Sequence, residues 1–155
     1  MRYRIRVAAI VIQNNQILLV KSLNSKSSNE WWAPPGGGLE DVDSDIHACA
    51  VRETCEETGY TIETGDILYI SEFLDPQYDS HNLEIFLKGE IVFGEIGVKD
   101  PLCRQCDGLV IEEARWFSKD ELCDLTVFPE SIKTSEFWGN YDQKIYTKYL
   151  GRTRG

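Results

Sequence analysis

The sequence predicts a single α/β domain in which helices pack on a mixed β-sheet. The chain has 155 residues, of which 42% are hydrophobic and 11% aromatic, and this is enough apolar side chain for one packed core. Runs rich in β-branched residues flank one amphipathic helix, and further helical signals follow near the end of the chain. Because this order of elements is typical of a layered α/β fold, we expect residues 1–155 to form one domain.

Two runs rich in β-branched residues open the chain, at Arg4–Gln13 and Gln16–Lys21. Asn14–Asn15 lies between them, and asparagine tolerates the positive φ angles of tight hairpin turns. A β-hairpin is therefore predicted. The polar stretch Ser22–Glu30 predicts a loop, and the glycines of Gly36–Gly38 provide backbone that another group can approach closely.

A helix is predicted next, with Ser44 or Asp45 as its N-cap, an end at about Thr58 and Gly59 just past that end. Three strands, two helices and a tail are predicted beyond it. They are strands Tyr60–Glu72, Leu83–Phe93 and Ile111–Phe117, a short helix over Ser118–Leu122 that begins with the spacing of a capping box, a helix over Pro129–Phe137, and a frayed basic tail at residues 151–155.

Charge limits the kinds of partner. The chain carries 16 Lys and Arg against 26 Asp and Glu, a net charge of -10, which opposes strong binding to nucleic acid and to anionic membranes. No apolar run approaches the roughly 18 to 20 residues of a membrane span, and the N-terminal segment lacks a small-residue cleavage site. We expect a cytoplasmic protein in which a phosphate-bearing ligand is met locally by bound cations.

Five cysteines, an odd number, fit a reducing compartment. Cys103 and Cys106 form a CxxC pair, which in other proteins is half of a zinc site or a redox pair. No second pair accompanies it and both histidines are distant in sequence, so we interpret the two thiols as incidental.

Three carboxylates cluster on the predicted helix. Glu53, Glu56 and Glu57 share one face because they are spaced i, i+3 and i+4. Like charges at this spacing cost about 0.2 to 0.5 kcal/mol per pair, and the C-terminal end of a helix also disfavours anions. A divalent cation such as Mg²⁺ would remove both penalties, whereas a solvated acidic surface needs no ligand. The opposite face carries the predicted apolar stripe, which is Ala48, Val51, Cys55 and Thr58.

The segments Gly36–Glu40 and Arg52–Tyr60 together resemble the signature of the Nudix hydrolases. That signature reads G, five residues, E, seven residues, then R-E-U-x-E-E-x-G-U, where U is bulky and apolar. Trp32–Pro35 resembles the lead-in of many members, and the resemblance extends to about Leu122.

The chain departs from the signature at two positions. Asp43 or Ser44 stands where the signature has its first Glu, depending on whether the glycines or the arginine set the register, and Thr54 replaces U. In the family the first Glu mainly supports the helix and its Arg, so Asp43 or Asp45 is a candidate substitute.

The resemblance implies a Nudix α/β/α sandwich and hydrolysis of a pyrophosphate bond in a nucleoside diphosphate linked to a further group, with Mg²⁺ or Mn²⁺ as cofactor. Position by position, it implies metal ligands at Glu53, Glu56, Glu57 and the carbonyl of Gly37 or Gly38. It implies catalytic roles at Arg52, which would orient Glu53, at Glu53 or Glu56 as general base, and at Glu112 or Glu113 as a further base or metal-binding acid, with Asp107 as second choice.

Three points stay open. The alternative function for this chain is a catalytically weak or inactive nucleotide-binding module of the same fold. The observation that favours it is the missing first Glu of the signature. A homodimer is typical of the family, with the strand Leu83–Ile91 as a candidate edge. The substrate is a small nucleotide derivative of unassigned class; Trp31, Phe73 and Tyr78 are candidates for stacking on its base, although aromatic residues at strand ends also serve as core or rim.

Overall fold

Two β-sheets and two α-helices make up the computed structural model, which describes residues 1–101 and 109–154. The strands are β1 (Arg2–Ile10), β2 (Ile12–Gln13), β3 (Gln16–Asn24), β4 (Glu30–Ala33), β5 (Gly36–Gly38), β6 (Tyr60–Asp75), β7 (Ser80–Gly94), β8 (Leu109–Ser118) and β9 (Lys148–Arg154). The helices are α1 (Ile46–Thr58) and α2 (Ser135–Asp142). The predictions at Cys103, Cys106 and Asp107 lie outside the described residues.

The larger sheet is mixed, as predicted. Its strand order is β5-β1-β7-β6-β9, in which β1 runs parallel to β7 and β6 parallel to β9 while the other pairs are antiparallel. The smaller sheet is antiparallel and is centred on β3, which pairs with β2, β4 and β8. The predicted α/β class is confirmed. Because β7 lies between β1 and β6, the prediction that Leu83–Ile91 offers a free edge for a dimer is wrong.

The predicted hairpin forms, but with a shorter first strand. Asn14 and Asn15 adopt φ angles of 54° and 58°, and the turn joins β2 to β3 with Ile12 opposite Ile17. The run Arg4–Gln13 is not one strand, because the chain passes from the larger to the smaller sheet at the buried Val11.

Only the middle of the predicted loop over Ser22–Glu30 is a loop, because both of its ends are in strands. β3 continues to Asn24 and β4 begins at Glu30. The side chain of Asn24 closes the turn between them, because its Oδ1 accepts hydrogen bonds from the backbone N–H groups of Lys26 at 2.9 Å and Ser27 at 3.3 Å.

Helix α1 begins and ends as predicted. Asp45 is its N-cap, with Oδ1 accepting from the N–H of Ala48 at 2.8 Å, and Gly59 follows it at a φ of 81°. The predicted apolar stripe is partly wrong, because α1 contacts strands of both sheets and therefore buries a different set of side chains. The buried residues are Cys49, Ala50, Thr54, Glu57 and Thr58.

The C-terminal elements differ from prediction in detail. The short helix is a 3₁₀ turn over Asp120–Leu122, and the Glu121 carboxylate accepts from the Ser118 N–H at 3.0 Å. The helix predicted over Pro129–Phe137 is divided by Thr134, which caps α2 with its hydroxyl. The backbone of residues 148–154 pairs with β6 as β9, so the tail predicted to be frayed is a strand up to Arg154. Neither helix of the described residues is long and apolar enough to cross a membrane.

Candidate functional site

A cleft lies where β5, α1 and the ends of β1, β3, β4 and β8 meet. The carboxylates of Glu53, Glu56 and Glu57 line it, together with Arg52 and the backbone of Gly36–Gly38. The residues that the sequence placed on one face of a helix and in a glycine-rich turn therefore surround one space.

The glycines allow the strand β5 to pass close to α1 and β1. A Cβ atom on Gly37 would lie 2.5 Å from Oε1 of Glu53, and one on Gly36 would lie 2.4 Å from the carbonyl oxygen of Val7. Both distances are shorter than any real carbon contact, so a side chain at either position would displace its neighbours. The groups that approach the glycines closely are thus the Glu53 carboxylate and the β1 backbone.

Arg52 connects four groups around the cleft. Its Nε and Nη2 donate to Oδ1 and Oδ2 of Asp43, each at 2.8 Å, which is the bidentate geometry that favours arginine. Its Nη1 lies 3.0 Å from Oε1 of Glu53 and 3.6 Å from Oε2 of Glu56, and its Nη2 donates to the carbonyl of Gly38 at 3.3 Å.

Asp43 occupies the role that the signature gives to its first Glu. The hydrogen bonds from Arg52 lower the pKa of Asp43 from 3.8 to about 2, and the N–H of Glu40 donates to Oδ2 of Asp43 at 3.0 Å.

Glu57 is buried and Glu53 is partly buried. Glu57 is 5% exposed, and its Oε1 accepts from the N–H of Gly36 at 2.8 Å. Burial, with the charge of Glu53 as the next cause, raises the pKa of Glu57 well above its ordinary value. Burial also raises the pKa of Glu53, while the guanidinium groups of Arg52 and Arg6 act in the opposite direction.

The loop that follows β7 holds the backbone of Glu56 and brings a further acidic residue to the cleft. The backbone N–H groups of Lys99 and Asp100 both donate to the carbonyl of Glu56, at 2.7 and 2.9 Å, and thereby satisfy a carbonyl at the open end of α1. Asp100 of this loop also lines the cleft. Sequence reasoning missed it, since its one local signal is an Asp-Pro pair that is typical of turns.

The donors around the cleft suit a hard divalent cation. Carboxylate and carbonyl oxygens are the ligands that Mg²⁺ prefers, and a bound cation would offset both the burial and the repulsion from neighbouring carboxylates that raise the pKa values of Glu53 and Glu57. Burial raises the pKa of Cys49 to about 12, so its thiol stays protonated. In residues 1–101 and 109–154, no three carboxylate, imidazole or thiol groups converge closely enough to hold an ion as they stand.

Glu112 and Glu113 are occupied elsewhere. Oε2 of Glu112 lies 3.3 Å from Nζ of Lys21, and the Glu113 carboxylate lies 3.2 Å from Nη2 of Arg115. Neither is among the described residues that line the cleft.

Two arginines of β1 line the cleft and were not predicted as site residues. Arg4 and Arg6 both border it, and Arg6 also lies 3.4 Å from Glu84. The alternating basic residues of the first strand are the signal that could have found them, because side chains two apart on a strand share one face. Of the three aromatic candidates for base stacking, Trp31 lines the cleft, whereas Phe73 and Tyr78 are not among its described lining residues.

Comparison with known proteins gives one family. A model of the NUDIX domain matches residues 2–136. A curated relative, nucleoside diphosphate-linked moiety X motif 6 of Xenopus laevis, is 40% identical over 72 residues, which are 45% of this chain and 32% of the relative. The matched segment thus spans about a third of that relative's length.

Solved structures share the fold at low identity. A NUDIX hydrolase from Nitrosomonas europaea superposes with a TM-score of 0.71 at 22% identity, covering 94% of this chain and 93% of the other. A MutT NUDIX hydrolase from Burkholderia pseudomallei gives a TM-score of 0.69 at 22% identity, covering 86% and 96%.

Proposed function

Because this chain belongs to the Nudix family, whose domain model matches residues 2–136, we propose that it is a divalent-metal-dependent pyrophosphohydrolase. Its substrate is a nucleoside diphosphate linked to a further group, and its reaction is hydrolysis of the pyrophosphate bond. The observation that carries the proposal is the cleft in which Arg52 contacts both Glu53 and Glu56 beside the glycine backbone of β5.

The metal ligands in this proposal are Glu53, Glu56, Glu57 and the carbonyl of Gly37 or Gly38. When bound, Mg²⁺ or Mn²⁺ supplies charge neutralisation at the phosphates and a more acidic water. Arg52 positions the Glu53 and Glu56 carboxylates, and Asp43 in turn holds Arg52. Glu53 or Glu56 accepts the proton of the attacking water as general base.

We assign the further acid to Asp100 rather than to Glu112 or Glu113. Asp100 lines the cleft and is tied through its backbone to Glu56, whereas the two glutamates of β8 are paired with Lys21 and Arg115. A carboxylate can act on a bound water only within hydrogen-bonding reach, and Asp100 is the better placed of the three.

The test is product release from a panel of ADP-ribose, dinucleoside polyphosphates, nucleotide sugars and nucleoside triphosphates, each with Mg²⁺, with Mn²⁺ and with chelator. We expect divalent-dependent cleavage of one class, and we expect Glu56→Gln to lower kcat/KM by about 100-fold or more. Glu136→Gln, on the exposed surface of α2, is the matched control and retains activity. Undiminished turnover in the Glu56 variant would contradict the site.

The second candidate is a nucleotide-binding module of the same fold. It is favoured by one observation, the lack of the signature's first Glu, in whose place Asp43 or Ser44 stands. If no compound is cleaved at high protein concentration while a nucleotide or a divalent ion still raises Tm, the module is the better description.

We also propose a cytoplasmic location and a homodimer, which rest on the charge and cysteine content and on the family respectively. The dimer is tested by the mass measured in light scattering. Because β7 is an inner strand, its contact surface is expected away from Leu83–Ile91.

A further inference from the structure

We infer that Trp31 is the platform on which the nucleobase of the substrate stacks, so that the protein selects diphosphates that carry an aromatic base. This inference rests on the proposed function and names the substrate feature that the cleft recognises. Trp31 lies on β4, directly before the segment that leads to the glycines of β5.

The other three tryptophans are engaged in the core. The ring of Trp32 meets Phe117 edge to face with centroids 4.7 Å apart. The indole N–H groups of Trp116 and Trp138 donate to the Tyr60 hydroxyl at 3.3 Å and to the Ile132 carbonyl at 2.9 Å, respectively.

Trp31 differs from them. Its side chain is half-buried and lines the cleft, and within the described part of the chain its ring has no aromatic partner and its N–H no acceptor. Indole rings combine a large apolar face with one donor and usually find partners for both. An aromatic ligand with polar edges provides both.

The surroundings of Trp31 form a slot suited to a flat ring. Ile111 and Val20, 7% and 2% exposed, line the same cleft together with Leu109. Ser22 is opposite Trp31 in the pairing of β3 with β4 and opposite Ile111 in the pairing of β3 with β8. Ser22 therefore lies between Trp31 and Ile111 on one face of the smaller sheet, and it lines the same cleft.

The charged parts of the cleft are within reach of this slot. Trp31 and Glu53, whose carboxylate lies against Gly37, line the same cleft, so one ligand can contact both. Arg4 and Arg6 line the same cleft and provide cations for phosphate groups. The cleft thus offers a stacking surface, cations and acidic groups to one molecule.

An isoprenoid diphosphate is the competing ligand for an apolar wall next to phosphate-binding groups. An alkyl chain would cover Ile111 and Leu109 but would leave the Trp31 N–H and the Ser22 hydroxyl without partners at a desolvated surface, which is unfavourable. A purine or pyrimidine offers acceptors and donors at its edge and a π face to the indole. The observations therefore favour the base.

The test measures binding without turnover, so that it does not depend on catalysis. Dissociation constants for AMP, GMP, CMP and UMP, for ribose 5-phosphate and for geranyl monophosphate are measured by calorimetry in the presence of chelator. We expect at least one nucleotide to bind, Trp31→Ala to weaken it by roughly 5- to 150-fold, and Trp31→Tyr to restore most of the affinity. Ribose 5-phosphate should show no comparable change.

Phe93→Ala is the matched control, because Phe93 is 76% exposed and lies outside the cleft; it should bind as wild type, and thermal unfolding verifies that each variant is folded. Equal nucleotide affinity in Trp31→Ala and wild type overturns the inference, as does selective binding of geranyl monophosphate or binding of no nucleotide. Loss of nucleotide binding in Trp31→Ala combined with no hydrolysis in the panel would support the platform and refute the enzyme. Hydrolysis combined with unchanged nucleotide affinity in Trp31→Ala would do the opposite.

Discussion

Asp43 and Arg52 form a two-point ion pair, with Nε to Oδ1 and Nη2 to Oδ2 both at 2.8 Å. The aspartate side chain is 2% exposed and the arginine 20%, so water competes little for either partner. The remaining guanidinium nitrogen is thereby directed at Glu53 and Glu56. Activity and stability should therefore both depend on a residue that does not itself reach the substrate.

We expect Asp43→Asn to lower kcat/KM by about tenfold and the free energy of unfolding by about 1 to 2 kcal/mol, because Arg52 loses its charged acceptor. Asp43→Glu, which restores the family's residue type, should retain more of both. Steady-state kinetics and urea unfolding measure the two effects. Wild-type values in Asp43→Asn would show that Arg52 is held by other groups.

Stability should also depend on pH through Asp43. Arg52 lowers the pKa of Asp43 to about 2 from 3.8 in the unfolded chain, so the ion pair stabilises the folded state fully above the unfolded value, and this contribution is lost as pH falls towards 2. The difference in unfolding free energy between wild type and Asp43→Asn should therefore shrink between pH 6 and pH 2.5. A constant difference over that range would contradict the shift.

Gly37→Ala should impair catalysis more than folding. The added Cβ would lie 2.5 Å from Oε1 of Glu53, so the carboxylate must move, and small displacements in an active site are costly. We expect kcat to fall by about tenfold or more. Gly97→Ala is the control, since nothing lies within 4 Å of its Cβ, and equal losses in the two variants would contradict the explanation.

Thr54→Val should stabilise the protein. Thr54 is fully buried, and its hydroxyl has no hydrogen-bond partner among the described residues, so an apolar residue of the same shape removes an unsatisfied group. We expect an increase of about 0.5 to 1.5 kcal/mol in the free energy of unfolding. Thr58→Val should do the reverse, because the Thr58 hydroxyl donates to the Thr54 carbonyl at 2.6 Å. Thermal unfolding of both variants gives the comparison.

Asp100→Asn should lower kcat by about 100-fold. The backbone N–H that donates to the Glu56 carbonyl is kept in the asparagine variant, so stability should change little. Single-turnover rates for Asp100→Asn, Glu112→Gln and Glu113→Gln rank the three acids. A larger loss in either β8 variant would return the role to that strand.

Features that depend on neighbouring residues were predictable from the sequence. The caps of α1 at Asp45 and Gly59 and the turn at Asn14–Asn15 formed as expected, since a side chain or a φ preference a few residues away determines each of them. A close approach to the glycine backbone was also predicted, but not that the neighbours would be the Glu53 carboxylate and the Val7 carbonyl.

Features that depend on distant segments were not predictable from local patterns. Arg4 lines the cleft because β1 pairs with the distant glycine strand β5, and the transfer of the chain between sheets at Val11 leaves no mark in an unbroken apolar run. Asp100 belongs to the site because its loop turns back to satisfy the end of α1. Periodicity reports which face of an element is apolar but not which element covers it.

The parallel pairing of β1 with β7 also determines when the cleft can form. Residues 2–10 of β1 pair with residues 80–88 of β7, and β5 pairs with the other edge of β1. Strands β1 and β5 therefore both depend on β7, which is synthesised much later than either. Bringing β1 and β7 together closes a long loop, and its entropic cost is met before any stabilising contact between the strands has formed. In a growing chain on the ribosome, helix α1 and the glycines of β5 consequently leave the exit tunnel before β7, the strand that supports β1, has been made. Any truncation before residue 88 removes part of that support.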